Sequence, residues 1–157
     1  LCWHYGETPS YLTVVARGDH GGYMQHGDTE KKPLSSKEDL LARIRTSLGG
    51  RAAELVYYGE QDGLSTGASG DLVSATRTAQ AILCSYGMDK DFGLAVIDPN
   101  GGMAEQVHAA VNRILEEQLQ KAVALIAENK HKIDALVGTL MVKNHMTGDE
   151  IDAVLKD

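Results

Sequence analysis

The sequence has 157 residues, 43% hydrophobic and 24% charged, with a net charge of −7. That length suits one domain with its own core. The acidic balance argues against a nucleic-acid surface, which needs a basic face. No run approaches the ~18 consecutive apolar residues of a membrane span. Aromatics are only 5%, so the core is expected from Leu, Ile, Val, Ala and Met, which favours packed helices.

Leu1 to Tyr5 reads as the last turn of a helix, ended by Gly6 and broken by Pro9. Tyr11 to Arg17 is rich in β-branched residues, Gly18 to Gly22 is a turn, and Tyr23 to Gln25 returns, giving a hairpin over 11–25. Residues 26–34 are polar, hold Pro33 and form a loop. Ser35 and Ser36 offer an N-cap, with acid at Glu38 and Asp39, for a helix with Leu40, Leu41, Ile44 and Leu48 on one side. The apolar face resumes at Ala52, Ala53, Leu55 and Val56, so the spacing predicts one helix, thinned at Gly49-Gly50. Each Gly weakens it by about 1 kcal/mol relative to Ala, and the pair would let another helix come close.

Residues 59–69 form a Gly-rich loop, and a helix from near Ser69 to Gly87 carries Leu72, Ala75, Ala79, Ile82 and Leu83. Met88 to Gly102 is irregular, with a short strand expected at Leu94 to Ile97. A long helix runs from Met103 to Glu128, Asn129 caps another reaching Leu140 or beyond, and Thr147-x-x-Glu150 is a capping box for a last short helix. The fold class is mainly α: core helices over 36–87, a small β-hairpin near the N-terminus and a C-terminal helical bundle over 103–157.

The residues alone leave several readings open. Asp71, near a helix start, offsets the helix dipole by ~0.3–1 kcal/mol or serves as a metal ligand. Glu54 forms an i, i+3 ion pair with Arg51 or supports a metal ligand from outside. The loop from Gly63 to Gly70 feeds a helix N-terminus, where phosphate binds in other proteins. Here no Lys follows it, and Asp71 would put negative charge at the anion site. Cys2 and Cys84 form no C-x-x-C pair, as expected of free thiols in a reducing compartment, and Cys84 reads as a small buried hydrophobe. His4 sits where an imidazolium would favour a helix C-terminus.

Three segments carry a resemblance: Leu48-Gly49-Gly50-Arg51-Ala52-Ala53-Glu54, then Ser65-Thr66-Gly67-Ala68-Ser69-Gly70-Asp71-Leu72 with Ala75-Thr76, then Tyr86-Gly87-Met88. With Thr13 to Gly18, Gly22-Tyr23 and Thr147 to Ile151, their order resembles the peptidase domain of FtsH-type ATP-dependent zinc metalloproteases over nearly the whole chain. The resemblance implies a membrane-tethered homohexamer of the AAA+ class. It unfolds polypeptide substrates with ATP, bound in an AAA+ domain outside this chain, and cleaves them at zinc. It implies two zinc ligands from H-E-x-x-H on one helix and a third, Asp71, from another.

It also implies that Glu54 backs the metal site and that Thr13, Val14, Val15 and Ala16 pair with an extended substrate; the alternative for that strand is an ordinary hairpin. The peptidase domain is expected to be soluble, without direct membrane contact of its own, on the cytoplasmic face of a bacterial membrane or in an equivalent organelle compartment. The segment from Asp98 to Met103 is shorter than the corresponding family loop.

No H-E-x-x-H occurs in this sequence; His4, His20, His26, His108, His131 and His145 have no such partner. The expectation is that residues 1–157 are a single peptidase domain truncated at its N-terminus, with Leu1 to Tyr5 the tail of the zinc helix. Such a piece would be metal-free and inactive as it stands. The alternatives are a pseudo-peptidase kept for assembly, in which the motif is naturally lost, and an unrelated helical interaction module.

Overall fold

Strong helix formers fill most of the chain after Leu34, and the structure, a computed structural model describing residues 1–16, 21–27 and 34–156, follows them. It divides into two compact units, one of residues 33–126 and one of residues 1–32 with 127–157. The expected bundle over 103–157 is thereby split between them.

The first unit holds α1 (Lys37–Ser47), α2 (Gly49–Asp62), α3 (Ser69–Cys84) and nearly all of α4 (Ala104–Glu128). Ser36 caps α1, with a capping box closed by Asp39. The apolar stripes of α1, α3 and α4 meet in one core of Leu40, Ile44, Leu48, Ala79, Ile82, Val107, Val111 and neighbours. Ile44, Ala75, Ala79 and Ile82 are 0% exposed. Alanines on α3 leave room for the larger side chains of the facing helices. A polar link crosses this core: buried Arg45 donates to Gln118 Oε1 at 2.7 Å and also pairs with Glu38.

Two expectations need correction here. The single helix through Gly49-Gly50 is two helices that meet at Leu48, where ψ flattens to −1°. Hydrogen bonds persist across the bend, from Leu48 N–H to Ile44 O and from Ala52 N–H to Leu48 O, both 2.9 Å. Leu48 is drawn into the core at 2% exposure, and the two glycines after it have no side chains to keep the axis straight. The expected strand at Leu94 to Ile97 is also absent. Leu94 and Val96 point outward, 89% and 80% exposed, so no neighbouring strand rewards extension. Ile97 ties back, its N–H donating to Cys84 O at 2.9 Å.

The second unit holds β1 (Pro9–Thr13), β2 (Tyr23–His26), α5 (Lys130–Lys143), β3 (His145–Thr147) and α6 (Gly148–Lys156). The expected hairpin forms, but it is part of a three-stranded antiparallel sheet ordered β2-β1-β3. The added strand is only three residues long and has no hydrophobic pattern of its own. Arg17 to His20, in the expected strand end and turn, and residues 28–33 of the expected loop lie outside the described residues. Leu12 pairs with Met24 on one side and Met146 on the other. Met146, Leu140, Ile151 and Leu155 form this unit's core, with Trp3, Leu12, Leu136 and Val154 packed on it. The capping box before α6 forms as expected: Thr147 N–H donates to Glu150 Oε2 at 3.0 Å, and Glu150 N–H returns to Thr147 Oγ1 at 3.4 Å.

The opening residues form a hydrogen-bonded turn. Tyr5 N–H donates to Leu1 O at 3.1 Å, Gly6 N–H to Trp3 O at 3.1 Å, and Glu7 N–H to Cys2 O at 2.9 Å. With Gly6 at φ +86°, this is a Schellman cap, in which a left-handed glycine lets the last carbonyls be satisfied.

Candidate functional site

Arg51 and Glu54 stand one turn apart on α2 and pair at 3.3 Å, Arg51 Nη1 to Glu54 Oε2. Both reach Ser65 in the following loop. Arg51 Nη2 donates to Ser65 O at 3.0 Å, and Ser65 Oγ donates to Glu54 Oε1. Ser65 Oγ also accepts from Gly67 N–H at 3.2 Å, opening the short 3-10 turn Thr66–Ala68 that leads into α3. The Ser65 hydroxyl, above all, holds the Glu54 carboxyl below its usual range. The expected Arg51–Glu54 pair is present; the Ser65 link went unread, because nothing in its spacing marks it.

This triangle fixes the loop that delivers Asp71. At its start, a Cβ on Gly63 would stand 2.4 Å from Gly59 O, so the chain closes on itself there only with glycine. Asp71 lies in the first turn of α3, exposed. A Cβ built at Gly50 would be 4.0 Å from Asp71 Oδ2. The carboxylate thus lies beside the head of α2, at ordinary contact distance from such a carbon. Among the described residues Asp71 makes no hydrogen bond or ion pair, which leaves its oxygens free to ligate. A groove of about 480 Å³ is lined by Leu48, Leu72, Leu115 and Leu119 together with Arg51, Asn112 and Glu116.

The remaining sequence candidates are dispersed. No three His, Cys, Asp or Glu side chains among the described residues converge so as to hold a metal ion. Asp71 is therefore one donor that suits zinc, not a complete set. His20 lies outside the described residues. His4 is exposed and meets Tyr5 edge to face, centroids 5.1 Å apart. Cys84 is buried, 2% exposed, and burial pushes its thiol pKa up, with Asp98 adding to the effect.

Of the candidate substrate strand, Thr13 is buried and pairs with both Tyr23 and His145, and its hydroxyl donates to Asn144 O at 3.0 Å. Val14, Val15 and Ala16 are exposed and lie past the end of β1. Val14 N–H donates to Asn144 O at 3.1 Å and Val15 N–H to Thr13 Oγ1 at 3.1 Å.

The mainly α chain with its small antiparallel sheet is a peptidase domain in class. Residues 2–154 match the model of peptidase family M41, and the chain belongs to that family. It is similar to the ATP-dependent zinc metalloprotease FtsH of Mycoplasma genitalium, 32% identical over 98% of this chain and 24% of the relative. FtsH 3 of Sphaerobacter thermophilus is 33% identical over 95% of this chain and 31% of its own length. The chloroplastic FTSH 6 of Arabidopsis thaliana is 33% identical, over 93% and 24%. The chain thus spans about a quarter to a third of these relatives. No helix among the described residues is long and apolar enough to cross a membrane.

Proposed function

We propose that this chain is the peptidase portion of an ATP-dependent zinc metalloprotease, with Asp71 the third protein ligand to the metal. The observation that carries this is the free Asp71 carboxylate at the head of α3, delivered by a loop that Arg51, Glu54 and Ser65 hold in place. The two imidazole ligands would come from an H-E-x-x-H on the helix whose last turn is Leu1 to Tyr5. The Schellman cap at Gly6 supports a helix ending there. When bound, zinc supplies a Lewis acid and a water whose pKa falls to ~7.

This chain's own residues then have three tasks. Asp71 offers an oxygen donor. Glu54, with its charge held by Ser65 and Arg51, braces the loop before Asp71 and would support the ligands from outside. The carbonyls of Val14 and Val15, whose N–H groups are already bonded, and the main chain of Ala16 would pair with an extended polypeptide, a sequence-blind mode that suits unfolded substrates. Thr13 is left out of that role, since strands already flank it on both sides.

ATP binding, a homohexameric ring and a membrane tether belong to the rest of the protein in this reading. Without the H-E-x-x-H helix, residues 1–157 neither hold zinc nor cleave. The test extends the chain upstream by about 20 residues, enough for a five-turn helix, and measures bound zinc and casein cleavage. The expected result is about one zinc per chain, lost together with cleavage in Asp71→Asn. Unchanged zinc in that variant removes Asp71 from the ligand set. Other residues in place of H-E-x-x-H upstream would make the protein a pseudo-peptidase kept for assembly.

A further inference from the structure

The groove in the unit of residues 33–126 has an apolar lining with lopsided polar groups. Asn112, Leu115, Glu116 and Leu119 stand at i, i+3, i+4 and i+7 on α4, so they share one helix face over about 10 Å. Leu48 and Arg51, at the start of α2, and Leu72, in the first turn of α3, complete the lining. Its volume of about 480 Å³ falls in the ~300–1,000 Å³ range of pockets that enclose a ligand. The donors of this lining are engaged. Arg51 is committed to Glu54 and to Ser65 O, and Asn112 Nδ2 meets His108 Nε2 at 3.2 Å. Acceptors are left over. Glu116 Oε1 takes Gln120 Nε2 at 3.1 Å, but among the described residues Glu116 has no cationic partner and Asn112 Oδ1 has no donor. These two side chains lie one turn apart, about 5–6 Å between their Cβ atoms.

We propose that this groove binds a polypeptide segment in which bulky aliphatic side chains stand next to a Lys or Arg. The aliphatic groups cover the four leucines, and the cation meets Glu116 and Asn112 Oδ1. An ammonium or guanidinium group carries donors and no acceptor, which matches what the lining leaves open. The long stem of either side chain can also lie along apolar surface while its charge stays at the edge. An acidic segment would bring like charge to Glu116, and a wholly apolar one would leave the acceptors unanswered. The partner is a polypeptide because the chain belongs to a peptidase family, so the proposal rests on the reading above for the partner's class alone. It needs no zinc and no residue outside 33–126.

The experiment uses the full-length protein with EDTA present, so that neither zinc nor cleavage enters the readout. Fluorescence anisotropy follows short labelled peptides in a Gly/Ser background. One holds a pair of leucines beside a pair of lysines, one has glutamates in place of the lysines, and one has serines in place of the leucines. The leucine–lysine peptide is expected to bind about tenfold more tightly than the serine peptide, for the aliphatic burial. Against the glutamate peptide the expected margin is about fivefold, for an exposed charge contact. Glu116→Lys, on the exposed side of α4, should reverse that second preference, a result that misfolding cannot produce. Leu72→Gln, at a 36% exposed position, should weaken the leucine–lysine peptide about fivefold. Val73→Gln, exposed and outside the groove, should change nothing. Equal binding of all the peptides, or none of the leucine–lysine peptide, overturns the proposal. So does a preference that Glu116→Lys and Leu72→Gln leave untouched, which puts the peptide elsewhere on the protein. A parent assembly that Leu72→Gln takes apart puts a second copy in the groove and overturns it as well. Failure to bind zinc once EDTA is removed sinks the metal reading instead and leaves these contrasts standing.

Discussion

The unit of residues 33–126 is built from one continuous stretch, and its core joins helices that follow one another along the chain. The other unit joins the first 32 residues to the last 31. Its sheet places β3 beside β1, and its outermost link joins Trp3 to Asp152. The first kind of structure is written in local periodicity. The second depends on pairings between distant segments, each too short to signal itself, and their loop-closure entropy is recovered only once the sheet and its helices have formed together.

The sharpest way to probe that contrast is to empty each core in turn. Ile82→Ala is expected to cost about 3 kcal/mol and Met146→Ala between about 2 and 5, since both side chains are fully buried. Hydrogen exchange resolved along the chain should show each loss confined mainly to its own unit. If Met146→Ala loosened residues 33–126 as much as its own sheet, the two regions would unfold as one and the distinction would collapse.

Smaller changes test the site's supports. Gly63→Ala forces a Cβ to within 2.4 Å of Gly59 O and should cost about 1–3 kcal/mol as overpacking, read as a lowered denaturation midpoint. Ser65→Ala should let the Glu54 carboxyl rise toward its ordinary 4.5, followed by NMR titration. An unmoved Glu54 would mean that Arg51 alone sets its charge.

The smallest effect belongs to the unit of chain ends. Lys143 first, then the Thr147 N–H, hold the Glu150 carboxyl at about 2 against an ordinary 4.5. Its folded value is the lower one, so its contribution is complete above about pH 4.5 and is lost as pH falls toward 2. Amide signals of α6 should weaken over that window. Glu150→Gln should flatten that part of the profile, and a profile identical to the parent's would remove Glu150 as its source.

Much of the site was legible because its elements are local. The acid near the start of α3, the Gly pair before Arg51 and the Arg51–Glu54 spacing could each be read from neighbouring residues. The bend at Leu48 could not, because burial of one leucine decided it. The contact of Ser65 with Glu54 was likewise hidden, since a loop can bring its hydroxyl to many places. The strand expected at Leu94 to Ile97 failed for the opposite reason: a local pattern existed, and no neighbour answered it.

By itself, the sequence determined the mainly α class, the helix starts at Ser36 and Thr147, the glycine turn at Gly6 and the motif order that marks the family. These follow from side chains acting on their own or adjacent turns. Only the tertiary structure decided the third strand, the closed Arg51–Glu54–Ser65 triangle, the nearness of Asp71 to Gly50 and the hold of α6 on Trp3. Each of these brings together groups far apart along the chain, and no spacing rule encodes such a meeting until the core has formed.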